Sequence, residues 1–358
     1  MSDRLTRVRE QLTKRRVDAI LLTNLDNIRY ASGFSGSSAT VVITSKRAVI
    51  LVDSRYTLQA KEECPGFEVI QYSGDVLKTT NDILLEDKVA SVGFEAEYVT
   101  ISTHRKMRKM IDKGVRLVGT KRVIEDIRLV KDADEIRKLK KAIALADECF
   151  DHIISFVKPG MTERDVALEI YLYMYKNGAE SLAFDTIVAA GPHAAFPHAE
   201  PGQAVLQKGQ MLKMDYGARV DGYNSDITRT IFLGEPDDKQ KEVYNTVLDA
   251  QLKAIEAIKP GVLGKDIDAI ARDYIASKGY GENFGHGLGH SLGMATHDGP
   301  GLSSGSDIAL ESGMVMTVEP GIYIEGWGGV RIEDDVLVTE TGCEILTKAR
   351  KDIVVVKG

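Results

Sequence analysis

The sequence predicts two domains: an α/β domain over residues 1–127 and an α+β domain over 128–358 with an internal pseudo-two-fold repeat. Three observations predict this. Helix and strand signals alternate through the first third of the chain. The pattern then changes near Arg128 and Asp132 into a long amphipathic helix. Beyond it the chain reads as two copies of one unit. Lys158-Pro159-Gly160 matches Lys259-Pro260-Gly261, Asp165 matches Asp266, Tyr173 matches Tyr274 and Gly178 matches Gly279, at a constant offset of 101. Later matches pair His198 with His297, Asp215 with Glu319 and Asp226 with Glu333, the offset drifting between 99 and 107.

In the first domain, residues 2–16 are expected to be helical, and 17–22, 40–44 and 48–52 to form strands. Helices are expected over 54–63, 75–86 and 101–111, with short strands near Val69, Val92 and Val118 in a mixed sheet. No catalytic cluster is visible there. In the second domain, Asp132 and Glu135 resemble a capping box. Ile136, Leu139, Ile143, Ala146 and Phe150 then give one apolar face as far as Lys158. Each copy continues with a second helix and Gly-rich strands, so helices cover an antiparallel sheet.

The totals narrow the function. At 358 residues, 43% hydrophobic and 28% charged, the chain has the make-up of a soluble globular protein. A net charge of −7 excludes a basic nucleic-acid scaffold. No apolar run reaches membrane-spanning length, and the N-terminus lacks the apolar stretch of a signal peptide. Cys64, Cys149 and Cys343 are scattered and form no CxxC pair, which fits a reduced, cytoplasmic protein.

The segment Lys213–Thr230 is the densest chemical signal. Asp221-Gly222 is a two-residue hairpin turn. With it at the tip, Val220 opposes Tyr223, residue 217 opposes Asp226, and Asp215 shares their face as a diagonal neighbour. Apolar Met214, Tyr216, Ile227 and Ile231 imply a sheet covered on both faces, which argues against two merely solvated carboxylates. In the second copy, 314–319 and 330–338 are expected strands carrying Glu319 and Glu333, with Arg331 on the face of Glu333. Arg331 is read as orienting an inner carboxylate rather than as a simple ion pair.

Four acids in symmetric positions repel one another unless cations fill the space between them. Five of seven histidines lie between 193 and 297. His104, His152 and His193 are read as ordinary packing or surface residues. His198, His290 and His297 stand beside the duplicated acids. The run Phe284–Gly293 lacks the Lys-Ser/Thr of a phosphate loop, and its glycines oppose a helix, so His286 and His290 are not a helical ligand pair. Hard oxygen ligands with one imidazole suit Mn²⁺, Co²⁺ or Zn²⁺, and such a set can hold two ions roughly 3.5–4 Å apart.

These motifs, MDYGARVDGYNSDITRT, GHGLGHSLG, HDGPG, TVEPGIYI and VRIEDD, strongly resemble the "pita-bread" metallopeptidases, the family of methionine aminopeptidase, aminopeptidase P, prolidase and creatinase. The stretch from Tyr30 to Ala60 resembles the creatinase/prolidase N-terminal domain, which points to the Xaa-Pro peptidase branch. The resemblance implies metal ligands Asp215, Asp226, His290, Glu319 and Glu333, with Asp226 and Glu333 bridging two ions. It implies Glu319 as general base and acid, His297 at the developing oxyanion and His198 on the substrate. His286, Arg331 and Tyr323 match supporting positions. The implied substrate is a proline-containing peptide, the implied cofactor two divalent ions with manganese foremost, and the implied assembly a homodimer. Prolidases often carry Arg where this chain reads Gly301, so the resemblance favours an aminopeptidase P-like exopeptidase over an Xaa-Pro dipeptidase. A non-catalytic peptide-binding module and a metal-free creatinase-type hydrolase are the other readings, both disfavoured by the complete ligand set.

Overall fold

Strand-forming β-branched runs alternate with capped helices through the first unit, which extends to Arg128. The computed structural model describes residues 2–356. The order is α1 (Ser2–Arg15), β1 (Ala19–Leu22), α2 (Leu25–Ser32), β2 (Thr40–Thr44), β3 (Ala48–Val52), α3 (Thr57–Glu63), β4 (Glu68–Gln71), α4 (Val76–Glu86), β5 (Ser91–Glu95), α5 (Ile101–Met110), β6 (Arg116–Thr120) and α6 (Glu125–Leu129). One sheet runs β4-β3-β2-β1-β5-β6. Antiparallel pairs β1–β2 and β2–β3 join parallel pairs β3–β4, β1–β5 and β5–β6, so the sheet is mixed as expected. Strands β1, β2, β3 and β5 are buried at every position. Helix α2 has no counterpart among the expected elements. Eight residues give too few turns for periodicity to register; the helix is started instead by Asn24, whose side chain accepts from the backbone of Asp26 and Asn27.

The second unit, from Leu129, carries its helices in two pairs: α7 (Ala133–Phe156) with α8 (Glu163–Lys176), and α9 (Asp238–Ala257) with α10 (Gly264–Ser277). Reciprocal capping boxes start α7 at Asp132/Glu135, α8 at Thr162/Asp165 and α9 at Asp237/Gln240. Both ends of α10 stand 101 residues beyond those of α8, the offset of the sequence repeat.

Each pair backs a set of strands. The first set is β7 (Ser181–Leu182), β8 (Ile187–Ala190), β9 (Met211–Tyr216), β10 (Ala218–Val220), β11 (Tyr223–Asn224) and β12 (Ile227–Leu233). The second is β13 (Val315–Val318), β14 (Gly321–Ile324), β15 (Gly328–Arg331), β16 (Asp334–Val338) and β17 (Cys343–Ile345), with β18 (Val355–Val356) returning to pair with β12. Val166, Ile170 and Met174 of α8 pack with Met214, Tyr216, Ile227 and Ile231. Val247 and Ala254 of α9, with Ile267 and Ala271 of α10, pack with Met316, Val318, Ile322 and Val336. Alternation along β9 then turns Asp215 away from the face of Met214 and Tyr216.

The acidic hairpin has the expected register. Val220 pairs with Tyr223 and, past a break at Gly217, Tyr216 pairs with Ile227 and Asp215 with Thr228. The break has a steric cause: a Cβ on Gly217 would stand 1.9 Å from the Ser225 carbonyl oxygen. The expected strand 330–338 is not continuous. It divides into β15 and β16 because Ile332 and Glu333 leave the ladder, Glu333 N–H donating to the Thr228 carbonyl of β12 at 3.1 Å.

Candidate metal centre

Asp215 lies on β9 between two neighbours, Ile187 of β8 and Thr228 of β12. Asp226 stands just before β12, where its N–H donates to Asp335 Oδ2 at 3.1 Å. From the second copy, Glu319 follows β13 directly and its N–H donates to the Leu288 carbonyl at 2.7 Å. Glu333 occupies the gap between β15 and β16. His290 comes from a loop laced to β13: its N–H donates to Thr317 Oγ1 at 2.9 Å and its carbonyl accepts from Thr317 N–H at 2.8 Å.

These five side chains converge. His290 Nε2 lies 3.4 Å from Asp226 Oδ2 and 3.5 Å from Glu319 Oε1. One ligand atom each from Asp226, His290 and Glu333 fall within 4.8 Å of one another, an arrangement able to hold a metal ion. Asp215, Asp226 and Glu333 are buried, and Glu319 is nearly so. All five line a cavity of about 540 Å³ together with His198, His297 and Arg331.

Electrostatics make the metal-free arrangement costly. Burial pushes the carboxyls of Asp226 and Glu333 well above their usual range, and the neighbouring acids push them further. Glu319 is raised by burial despite the opposing pull of His290 and Arg331. Asp215 Oδ1 and Glu333 Oε1 are buried oxygens without a hydrogen-bond partner. Buried acceptors are seldom left unpaired, and cations would satisfy these two. The donor set therefore fits divalent metal.

Arg331 organises one side. Its guanidinium pairs with Asp215, donates from Nε to Thr228 Oγ1 at 2.9 Å, and donates from Nη1 to the Pro197 carbonyl at 3.2 Å and to Tyr323 at 2.8 Å. The Tyr323 hydroxyl is 3.0 Å from His286 Nε2, while His286 Nδ1 donates to the Gly287 carbonyl at 2.8 Å. That tautomer leaves Nε2 to accept from Tyr323. Burial and the nearby Arg331 push His286 down to about 4, which keeps the ring neutral for this chain of bonds. His297 packs against His290 with ring centroids 4.2 Å apart, and burial together with the positive influence of His290 lowers its pKa. His198 is exposed at the cavity.

Three supporting residues escaped the sequence reading. Thr228 donates to Glu333 Oε2 at 2.6 Å and accepts from Arg331. Thr317 donates to Glu319 Oε1 at 3.2 Å and accepts from His290 N–H. Each threonine stands two residues from an acid, Asp226 or Glu319, and that same-face spacing was the available signal. Lys213 is buried and its Nζ donates toward the carbonyls of Ala194, Phe196 and Pro197, pinning the turn that presents His198. Burial pushes this amine down to about 6.

Gly301 has a backbone role, and its difference from prolidases does not bear on substrate length. A Cβ there would stand 2.4 Å from the Gly289 carbonyl oxygen, and Gly301 does not line the cavity. Close approach of two backbones requires glycine at this position, so the missing arginine carries no weight about substrate length. The readings of His152 and His193 agree with the structure, where they pair with Glu169 and Glu163.

Comparison with known proteins points the same way. Residues 137–340 match the model of metallopeptidase family M24, and residues 4–130 that of the creatinase/prolidase N-terminal domain. The chain is 37% identical over 359 residues to a protein named Xaa-Pro dipeptidase from Pyrococcus horikoshii, covering 99% of each. It superposes on the solved structure of an Xaa-Pro dipeptidase from Bacillus anthracis with a TM-score of 0.96 and 43% identity, over 99% of both chains. An X-Pro aminopeptidase structure from Thermotoga maritima gives 0.90 and 40%, over 95% of this chain and 98% of that one.

Proposed function

We propose, from the premise that this chain belongs to metallopeptidase family M24, in its Xaa-Pro peptidase branch, that it hydrolyses the bond between a first residue and proline. The observation that carries this is the convergence of Asp215, Asp226, His290, Glu319 and Glu333 on one cavity with two unpartnered buried carboxylate oxygens. In this reading the five residues hold two divalent ions, manganese foremost, with cobalt or zinc as substitutes. Bound there, such ions supply Lewis acidity toward water and toward the scissile carbonyl.

The remaining chemistry belongs to the protein. Glu319, whose pKa burial raises, is placed to accept a proton and deliver it. Delivery is needed because the leaving nitrogen of proline carries no N–H in the peptide. His297, held neutral by its surroundings, donates to the oxygen that gains charge. His198 meets the substrate from the exposed side. Arg331, Tyr323 and His286 fix Asp215 and the wall around it without touching the reacting atoms.

An Xaa-Pro dipeptide suits the names of the relatives. A second reading, cleavage of longer peptides, is favoured by one observation. Among the described residues, Arg331 is the sole lysine or arginine lining the cavity, and it is engaged with Asp215. No further cation is set to clamp a carboxylate directly after proline. A cytoplasmic homodimer completes the proposal. The three cysteines are free, and among the described residues no helix is long and apolar enough to cross a membrane. Metal analysis of purified protein, with hydrolysis of Leu-Pro measured before and after chelation, tests the core claim. Full activity after exhaustive metal removal refutes it, and metal binding without hydrolysis supports a peptide-binding module instead.

A further inference from the structure

The run Phe284–Gly293 brings His286 and His290 to the cavity, yet it has little side-chain bulk with which to hold its own path. Its glycines answer to crowding. A Cβ on Gly287 would stand 3.0 Å from the Leu302 carbonyl oxygen, and one on Gly289 would stand 2.0 Å from that of Thr317. Glycine also loses the most backbone freedom when it is fixed. The path of the run must therefore be set by groups outside it.

Helix α10 supplies them. Asp268 and Arg272 stand one turn apart and pair at two points, Nε to Oδ2 at 2.8 Å and Nη2 to Oδ1 at 3.0 Å. The Asp268 side chain is only 1% exposed. The same two side chains reach the histidine run. Arg272 Nη1 donates to the Phe284 carbonyl at 2.9 Å and Nη2 to the His286 carbonyl at 2.7 Å, and the guanidinium lies 4.4 Å from the Phe284 ring centroid. Asp268 Oδ1 accepts from Leu288 N–H at 3.0 Å. Backbone groups of residues 284, 286 and 288 are thus satisfied by one pair of side chains, in the way a neighbouring strand would satisfy them. The Leu288 carbonyl in turn accepts from Glu319 N–H at 2.7 Å, so this frame extends to a second candidate ligand.

The internal repeat shows that the pair is particular to one copy. At the offset of 101, α8 carries Ala167 and Tyr171 where α10 carries Asp268 and Arg272. The two helices share their length and place, but the pair occurs only in the copy that contains His290.

We propose that Asp268 and Arg272 are positioning residues for the metal centre. They fix the backbone from Phe284 to Leu288, so that His290 meets Asp226 and Glu319 and His286 meets Tyr323. Neither touches the substrate or the reacting atoms. This inference rests on the metallopeptidase reading above and extends it to residues outside the cavity.

The test is calorimetric Mn²⁺ titration of chelated protein, with Leu-Pro hydrolysis measured against Mn²⁺ concentration, for wild type, Arg272→Met, Arg272→Lys and Lys265→Ala. Arg272→Met removes both carbonyl bonds. Its Mn²⁺ affinity is expected to fall about tenfold, the lower end for residues that orient metal ligands. Half-maximal activity should need correspondingly more Mn²⁺, with KM for Leu-Pro unchanged once metal saturates. Arg272→Lys keeps a charge opposite Asp268 but cannot span two carbonyls; it should fall between, and it decides the matter if Arg272→Met does not fold. Lys265→Ala removes an exposed ion pair with Asp307 on the same helix and should match wild type, which separates the frame from a general loosening of α10. Wild-type Mn²⁺ affinity in the folded Arg272 variants, or a lowered Tm as their only change, overturns the inference and leaves the peptidase reading standing. Wild-type protein that neither binds Mn²⁺ nor cleaves Leu-Pro removes that reading and the inference with it.

Discussion

The hydroxyl of Thr228 donates to Oε2 of Glu333 at 2.6 Å, joining residues 105 positions apart. The Thr228 hydroxyl oxygen itself accepts from Arg331 Nε at 2.9 Å, so one small side chain sets the orientation of a candidate ligand acid from the other copy and of the guanidinium that pairs with Asp215. Groups that orient metal ligands in this way typically govern affinity as strongly as they govern geometry.

Thr228→Val keeps the shape and removes the hydroxyl. It leaves Glu333 Oε2 and Arg331 Nε without this partner. Metal affinity is expected to fall about 10–100-fold with the fold retained. Calorimetric metal titration alongside circular dichroism checks it, and wild-type affinity in the variant would disprove the assignment.

The histidines should separate by role. His290→Ala is expected to lose both bound metal and activity. His297→Ala is expected to lose activity, by about 2.7–4 kcal/mol in the barrier if it serves the oxyanion, while keeping its metal. His198→Ala should likewise retain metal and lose rate. Metal content measured on each purified variant decides the matter; an empty site in His297→Ala reverses the roles proposed for His290 and His297.

Metal-free protein should have a characteristic pH dependence. Asp226, Glu333 and Asp335 have folded-state pKa values well above the unfolded ones, chiefly through burial. Folding therefore takes up protons between the two sets of values. The stabilisation is full below the ordinary carboxylate range and is lost as pH rises through the raised values. The Tm of the chelated protein is expected to fall from pH 5 to pH 8 relative to the metal-loaded protein. Parallel Tm curves for the two forms would contradict this.

Among the described residues no free lysine or arginine lines the cavity, and this sets the expectation for substrate length. Xaa-Pro-Yaa tripeptides are expected to be cut at the Xaa–Pro bond with kcat/KM at least equal to that of the matching dipeptide. Cleavage confined to dipeptides would establish the dipeptidase and point to His198 as the carboxylate partner.

Gly301→Ala tests the backbone crowding. The added methyl meets the Gly289 carbonyl at 2.4 Å, and a loss of about 1–3 kcal/mol of stability is expected. Urea denaturation measures it, and an unchanged midpoint would show that the loop yields freely.

Much of the site was legible because strand periodicity and an Asp-Gly turn fix register exactly where the acids sit. Counting outward from Asp221-Gly222 places Asp215 opposite Thr228, as the structure has it. The repeat located Glu319 and Glu333 by the same logic. What stayed hidden depends on contacts distant in sequence. Nothing local in 330–338 reveals that Glu333 abandons its own ladder for a carbonyl of β12. Likewise a threonine looks like an ordinary strand residue until the acid it meets is known. Gly301 misled because its reason for being glycine is Gly289, a neighbour only in three dimensions.

The single imidazole among four carboxylates makes the centre lopsided. At one end His290 stands near Asp226 and Glu319 as a candidate ligand that adds no negative charge; at the other, Arg331 pairs closely with Asp215, while it approaches Glu319 only to 3.9 Å. A cation arriving beside Asp215 must share that acid with Arg331, whereas one arriving at His290 need not. In the two-ion reading proposed above, the positions would therefore load in sequence, the His290 end first. Under scarce metal the population would be dominated by singly loaded chains instead of a mixture of full and empty ones.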